Sequence, residues 1–116
     1  MSDQTNTTAP SLPILPVSGE ATYNRLMQDI NPELTFPAIT QIESKYAGES
    51  GEAKAMRARR YDADFKEYAK RSRAHDDSAR ASLRTYARGM LQYLEHVWQG
   101  KEQSDLDRIA LHISQL

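Results

Sequence analysis

Cysteine is absent from this chain of 116 residues. Its absence excludes disulfide bonds, thiolate catalysis and zinc sites built on cysteine. The sequence also has no apolar run long enough to span a membrane, and its N-terminus lacks the basic residues and continuous apolar stretch of a signal peptide. We therefore expect a cytoplasmic protein that has no membrane partner.

Large aliphatic and phenylalanine side chains are scarce. Leu, Ile, Val and Phe together supply 20 of the 116 residues, which is below the usual fraction for a packed interior. The formal net charge is only −1, however, so the high net charge that accompanies disorder is also missing. Six tyrosines, four methionines and one tryptophan can supply apolar area instead. The composition predicts a folded domain with a thin core, in which tyrosine rings are buried and their hydroxyl groups stay at the rim.

Glycine and proline are missing between Glu52 and Arg88, so neither residue type breaks a helix in that stretch. The clearest helical pattern runs from Ala79 to Trp98, where apolar residues recur at intervals of three and four. The apolar positions are Ala79, Leu83, Tyr86, Ala87, Met90, Leu91, Leu94, Val97 and Trp98. We expect this face to form the centre of the core.

Shorter helical patterns precede and follow this stretch. They predict helices over residues 19–30, 37–47, 51–74 and 104–116. The predicted N-caps are Ser18, Ser50 and Ser104, the last combined with Asp107 in a capping box. Residues 1–18 are rich in Ser, Thr and Pro and are expected to form a flexible N-terminal tail. The predicted fold is therefore all-α, a small bundle of four to five helices in one domain over residues 19–116.

The junction between the two longest predicted helices has two interpretations. The apolar pattern continues through residues 72–79, so one helix over residues 51–98 is geometrically feasible. Charge favours a break, because the basic residues at 70–73 suit a helix C-terminus, whereas Asp76 and Asp77 suit the next N-terminus. We therefore predict that the bundle is built on a long antiparallel helical hairpin. The alternative is a continuous helix in an elongated scaffold or dimer.

Basic residues are concentrated in the middle of the chain. Residues 1–53 contain two basic and seven acidic residues, residues 54–88 contain eleven and five, and residues 89–116 contain two and four. Seven of the central basic residues form a sector on the third predicted helix and a ridge on the fourth. They are Arg59, Lys66, Lys70, Arg73, Arg80, Arg84 and Arg88. This surface is either a solvated helix face, a contact with an acidic protein or with the chain's own acidic ends, or a nucleic-acid surface.

Catalytic and metal-binding motifs are not found. The sequence has no GxSxG motif and no glycine-rich phosphate loop. His75, His96 and His112 are the only histidines, and none has a second ligand at a zinc-motif spacing. We therefore expect no enzymatic activity, no cofactor and no metal site.

These observations predict a non-enzymatic helical module that binds an acidic protein surface or itself through the seven basic residues. The alternative is a weak nucleic-acid-binding protein that uses the basic segment 54–88. Interleaved acidic residues, a pI of about 6.3 and the lack of a recognition-helix motif favour the first function over the second. Residues 42–68 form a distinctive segment to which no mechanism can be attached from the sequence.

Overall fold

A computed structural model describes residues 17–116, and this part of the chain consists of helices and turns without a β-strand. The helices are α1 (Val17–Ile30), α2 (Phe36–Ile39), α3 (Ile42–Lys45), α4 (Gly51–Ser72), α5 (Asp77–Trp98) and α6 (Gln103–Ser114), with a 3-10 turn at Pro32–Leu34. The predicted all-α class is confirmed. None of the helices in residues 17–116 has the length and apolar character needed to cross a membrane.

The helices α4 and α5 are separate, and each begins at a side-chain cap. The Ser50 hydroxyl accepts a hydrogen bond from the backbone N–H of Ala53 (3.1 Å), and the Asp76 carboxylate accepts one from the backbone N–H of Ala79 (2.8 Å). Such caps satisfy N–H groups that the first turn of a helix leaves unpaired, and each contributes about 1 kcal/mol. Residues 51–98 therefore form two helices and not one.

The core lies where α1 and α6 pack against both α4 and α5. The long helices α4 and α5 run in opposite directions. Their adjacent ends meet where the Tyr68 hydroxyl donates to the Leu83 carbonyl oxygen (2.9 Å), and their far ends meet where the Tyr61 and Trp98 rings stack at 5.9 Å. That these two helices form a hairpin on which the bundle is built stays a prediction, because α1 and α6 each pack against both of them.

The apolar faces expected from helical spacing are the buried faces. In α5 the positions from Leu83 to Leu94 on that face, together with Trp98, are buried, whereas Ala79 and Val97 are half-buried. The buried residues of α4 are Arg57, Ala58, Tyr61, Phe65, Tyr68, Ala69 and Ser72. Helical periodicity therefore identifies most of the buried face of both long helices, but it misses Arg57 and Ala69 in α4 and Gly89 and Tyr93 in α5.

The tyrosine rings supply much of the buried area, as expected, but their hydroxyl groups do not stay at the rim. The Tyr23 side chain is fully buried, and its hydroxyl donates to the Leu34 carbonyl oxygen at 2.8 Å. Tyr68 is also fully buried and donates to Leu83. The expectation of a hydroxyl at the rim is wrong for Tyr68, because its hydroxyl reaches a backbone carbonyl oxygen of α5 inside the core, as that of Tyr23 reaches Leu34. Burial without such a partner would cost free energy.

The N-terminal boundary differs from the predicted one. Helix α1 begins at Val17, so Ser18 lies within the helix and is not its cap. The predicted tail therefore loses its last two residues to α1. Its other residues, 1–16, lie outside the described part of the chain.

Two further boundaries were predicted incorrectly. The second predicted helix is two single helical turns, α2 and α3, which are interrupted at residues 40–41. Helix α6 begins at Gln103, after Glu102 in the left-handed conformation (φ 57°), and has no side-chain cap. The Ser104 and Asp107 capping box is therefore wrong, because the tight turn after α5 starts α6 before Ser104.

Candidate functional site: a basic groove between α4 and α6

A groove between α4 and α6 contains three of the seven predicted partner-binding residues. Lys66 and Lys70 lie on one side of α4, and Arg73, the residue directly after the last turn of α4, continues that side, because spacings of three and four residues return a helix to the same side. Helix α6 packs against α4 and supplies the other wall. The groove has a volume of about 480 Å³ and is called the basic groove below. Its lining consists of Ala63, Lys66, Glu67, Ala69, Lys70, Arg73, Leu111, His112 and Gln115.

The three cations of the basic groove are exposed, and none forms an ion pair within residues 17–116. Glu67, the carboxylate in the lining, accepts a hydrogen bond from Arg71 Nε at 2.9 Å. This bond from Arg71 lowers the pKa of Glu67, and the nearby positive charge of Lys70 acts in the same direction. Leu111 is 56% exposed, so the groove presents apolar surface beside its unpaired cations.

Asp62 connects α6 to α4 at the edge of the basic groove. Its Oδ1 atom lies 2.7 Å from His112 Nε2, and its Oδ2 atom accepts a hydrogen bond from Arg108 Nε at 3.2 Å. Arg108 also donates through Nη2 to the buried carboxylate of Asp105 at 2.6 Å. These contacts fix the side chain of His112 in the wall of the groove.

The other four predicted residues do not line the basic groove. Arg80 pairs with an aspartate three residues earlier in α5, and the Arg84 guanidinium donates to the backbone carbonyl oxygen of Leu116, just beyond α6. A cation at that position is favourable, because the C-terminal end of a helix carries partial negative charge. Arg59 and Arg88 are exposed on α4 and α5 but are not part of the lining. The seven predicted residues therefore do not form one surface, since three line the basic groove and four lie elsewhere on α4 and α5.

Sequence reasoning missed a second charged cluster, which is centred on Glu33 and Arg57. Glu33 Oε1 accepts a hydrogen bond from the Tyr61 hydroxyl at 2.8 Å, and Oε2 is bound by Lys45 Nζ and the Tyr46 hydroxyl. Partial burial acts to raise the pKa of Glu33, but the hydrogen bonds outweigh it and lower the pKa to about 2. Glu33 is therefore held firmly as a carboxylate.

Arg57 is the cation at the centre of this cluster and is only 8% exposed. Its guanidinium binds the Glu49 carboxylate and lies 4.1 Å from the ring centre of Tyr46 and 5.2 Å from that of Trp98. A buried charge of this kind is tolerated when a carboxylate and aromatic faces replace its hydration. We define the Arg57 cluster as Glu33, Lys45, Tyr46, Glu49, Arg57 and Tyr61. Five of its six members lie in the distinctive segment 42–68, so the charged and aromatic residues of that segment contact one another within the protein.

Asn31 positions Glu33 for these contacts. Its Oδ1 atom accepts a hydrogen bond from the Glu33 backbone N–H at 3.1 Å, and its Nδ2 atom donates to Asp64 Oδ2 at 2.7 Å. Burial raises the pKa of the Asp64 carboxyl, although the bond from Asn31 acts in the opposite direction. The Asn31 and Pro32 pair is visible in the sequence as a break after α1, but its link to α4 is not.

Neither cluster resembles a metal site, since residues 17–116 contain no group of three or more His, Asp or Glu side chains arranged to hold a metal ion. A comparison of the chain with protein-family models, curated proteins and solved structures finds no significant match. The candidate function therefore depends on the geometry of the basic groove. Unpaired cations beside an exposed leucine can bind an anionic partner that also has apolar surface.

Proposed function

We propose that this protein is a non-enzymatic interaction module whose basic groove binds an acidic segment of another protein. The observation that carries the proposal is the grouping of Lys66, Lys70 and Arg73 next to the exposed Leu111. An acidic segment would neutralise the three cations, and one apolar side chain on it would cover the leucine.

The surroundings of these cations favour a protein segment over nucleic acid. Nucleic-acid binding needs cations that follow a phosphate backbone, and single strands also need exposed aromatic rings on which bases can stack. Glu67 lies between the two lysines, and Tyr61 and Tyr68 are fully buried. Nucleic acid is therefore the competing outcome of the test below.

The same chemistry admits a second copy of this chain as the partner. Residues 1–53 carry two basic and seven acidic residues, a net charge of −5, and can complement the groove of another molecule. Self-association is therefore measured alongside binding to a foreign segment.

A titration with a defined probe tests the proposal. The probe is a fluorescein-labelled amphipathic peptide of about 14 residues, with aspartates on one helical face and leucines on the other. The variant K66E/K70E/R73E should weaken its binding at least roughly tenfold, because repulsion replaces attraction at three positions. The matched control is R59E/R60E/R88E, which reverses three exposed cations outside the groove. Circular dichroism establishes that both variants remain helical.

Loss of affinity in the groove variant with retention in the control supports the proposal. Equal losses in both variants would instead indicate nonspecific attraction by the whole basic segment. Tighter binding of duplex DNA than of the peptide would favour the nucleic-acid alternative. Sedimentation of the protein without peptide tests self-association. If the wild-type protein and the control variant are dimers and the groove variant is a monomer, the partner is a second copy of this chain.

A further inference from the structure

A second groove, of about 510 Å³, lies beside the N-terminal half of α4 and contains the exposed side chain of Met56. Met56 is 61% exposed, so it leaves apolar surface uncovered next to this groove. Tyr46, Glu49 and Arg57 belong to the Arg57 cluster, and their mutual contacts fix one wall. The groove is called the Met56 groove below, and its lining consists of Tyr46, Glu49, Ala53, Met56, Arg57 and Arg60.

The side of α4 that carries Met56 has short side chains and opposite charges. Ala53 and Ala63 are exposed on this side, three residues before and seven residues after Met56. Because alanine side chains are short, another helix can approach this side closely. Glu52 and Arg60 are also exposed, four residues before and four residues after Met56. The helix face is therefore negative on one side of Met56 and positive on the other.

We propose that the Met56 groove binds a second copy of this chain, with the two α4 helices antiparallel and related by a two-fold axis at Met56. Positions equally far from such an axis, in opposite directions, face each other. Glu52 of each molecule then lies opposite Arg60 of the other, and each Met56 side chain fills the groove of the other molecule. This inference goes beyond the proposed function, because the Met56 groove shares no lining residue with the basic groove.

The charges of this face fit a second copy because they are not used within the molecule. Neither Glu52 nor Arg60 forms an ion pair in residues 17–116. Asp64, one turn after Arg60, accepts a hydrogen bond from Asn31 Nδ2 at 2.7 Å. A parallel pair of α4 helices would place each charge opposite its own copy, whereas the antiparallel pair places unlike charges together twice.

The contact is small, so the association should be weak. It uses about three turns of one helix from each molecule, which is less than the interface of a stable complex, and a Kd of about 100 µM is expected. Dilute protein is then monomeric. Peptide titrations and denaturation measurements on dilute protein therefore report on the single molecule.

Sedimentation equilibrium from about 10 µM to about 1 mM protein at low salt tests the proposal, and wild-type protein should change from monomer to mostly dimer. Met56→Glu should weaken the association at least roughly tenfold, since two carboxylates would meet at the axis. Leu111→Glu is the matched control, because it changes the exposed apolar side chain of the basic groove, and it should dimerise as wild type does.

Charge reversal tests the antiparallel pairing. Glu52→Arg and Arg60→Glu should each weaken the association about tenfold, because each places like charges together twice. The double variant E52R/R60E restores unlike pairs and should associate within about threefold of wild type. Circular dichroism establishes that all variants remain helical.

The possible results separate this inference from the proposed function. A wild-type protein that stays monomeric at about 1 mM overturns the inference and leaves peptide binding in the basic groove untouched. Dimers that persist in Met56→Glu but are lost in K66E/K70E/R73E assign self-association to the basic groove and also overturn it. Single charge reversals that weaken the dimer without recovery in the double variant contradict the two-fold arrangement at Met56.

Discussion

The Arg57 cluster and the basic groove are both built on α4, yet their positive charges have opposite environments. The Arg57 guanidinium is 8% exposed, bound to Glu49 and surrounded by aromatic rings. Lys66, Lys70 and Arg73 are exposed, and no carboxylate of the described chain is paired with them. A buried charge must be neutralised within the protein, whereas an exposed charge can be neutralised by solvent or by a partner. The position of a basic residue along α4 therefore decides whether its charge is neutralised inside the protein or left exposed.

The largest loss of stability is expected when the buried cation, Arg57, is removed. Arg57→Ala leaves the Glu49 carboxylate without its partner and removes the stacking on Tyr46, so we expect unfolding to become easier by about 3 kcal/mol. Arg60→Ala is the matched control, since Arg60 is exposed three residues further along the helix, and it should cost less than about 0.5 kcal/mol. Urea denaturation followed by circular dichroism measures both. Equal losses in the two variants would contradict a structural role for Arg57.

Glu33, a carboxylate of the Arg57 cluster, should make the stability of the protein depend on pH. The folded-state pKa of Glu33 is lowered from 4.5 to about 2, so its contribution is complete above about pH 4.5 and is lost as the pH falls towards 2. Because Glu33 is only partly screened from solvent, we expect a contribution of about 1 to 2 kcal/mol. Glu33→Gln should therefore be less stable than wild type by that amount at neutral pH, and the difference should vanish near pH 2.

The control for this measurement is Glu95→Gln, at an exposed position on α5. Its stability should follow that of wild type over the whole pH range. A difference between Glu33→Gln and wild type that stays constant with pH would show that the substitution acts through packing and not through the charge of Glu33.

The main helices could be predicted because their determinants are local. Tyr61, Phe65 and Tyr68 share one helical face by spacing alone, and this face is buried. The caps at Ser50 and Asp76 also lie within three residues of the groups they bind. The boundary of α6 could not be predicted in the same way, because a left-handed backbone turn sets it and the Ser104 side chain does not.

The Arg57 cluster and the basic groove depend on contacts between residues that are far apart in the sequence, which a local sequence pattern cannot predict. Arg57 and Glu33 are 24 positions apart in the sequence, and they share Tyr61 only because the segment after α1 folds onto α4. His112 and Asp62 are separated by 50 positions. Helical spacing groups Lys66, Lys70 and Arg73 in one sector together with Arg59, but it could not show that α6 would form a wall beside the first three and not beside Arg59.

The smallest changes in stability are expected for Lys66 and Lys70, and they can be compared with the larger change expected for Arg84. Lys66→Ala and Lys70→Ala should change the free energy of unfolding by less than about 0.5 kcal/mol, because neither side chain has an ion-pair partner in residues 17–116. Arg84→Ala should cost about 1 kcal/mol, since it removes a donor to the Leu116 carbonyl oxygen at the end of α6. Parallel urea denaturation of the three variants measures the difference. If the lysine variants lose as much stability as Arg84→Ala, the lysines stabilise the fold. That result would contradict the proposal that their charges are available to a binding partner.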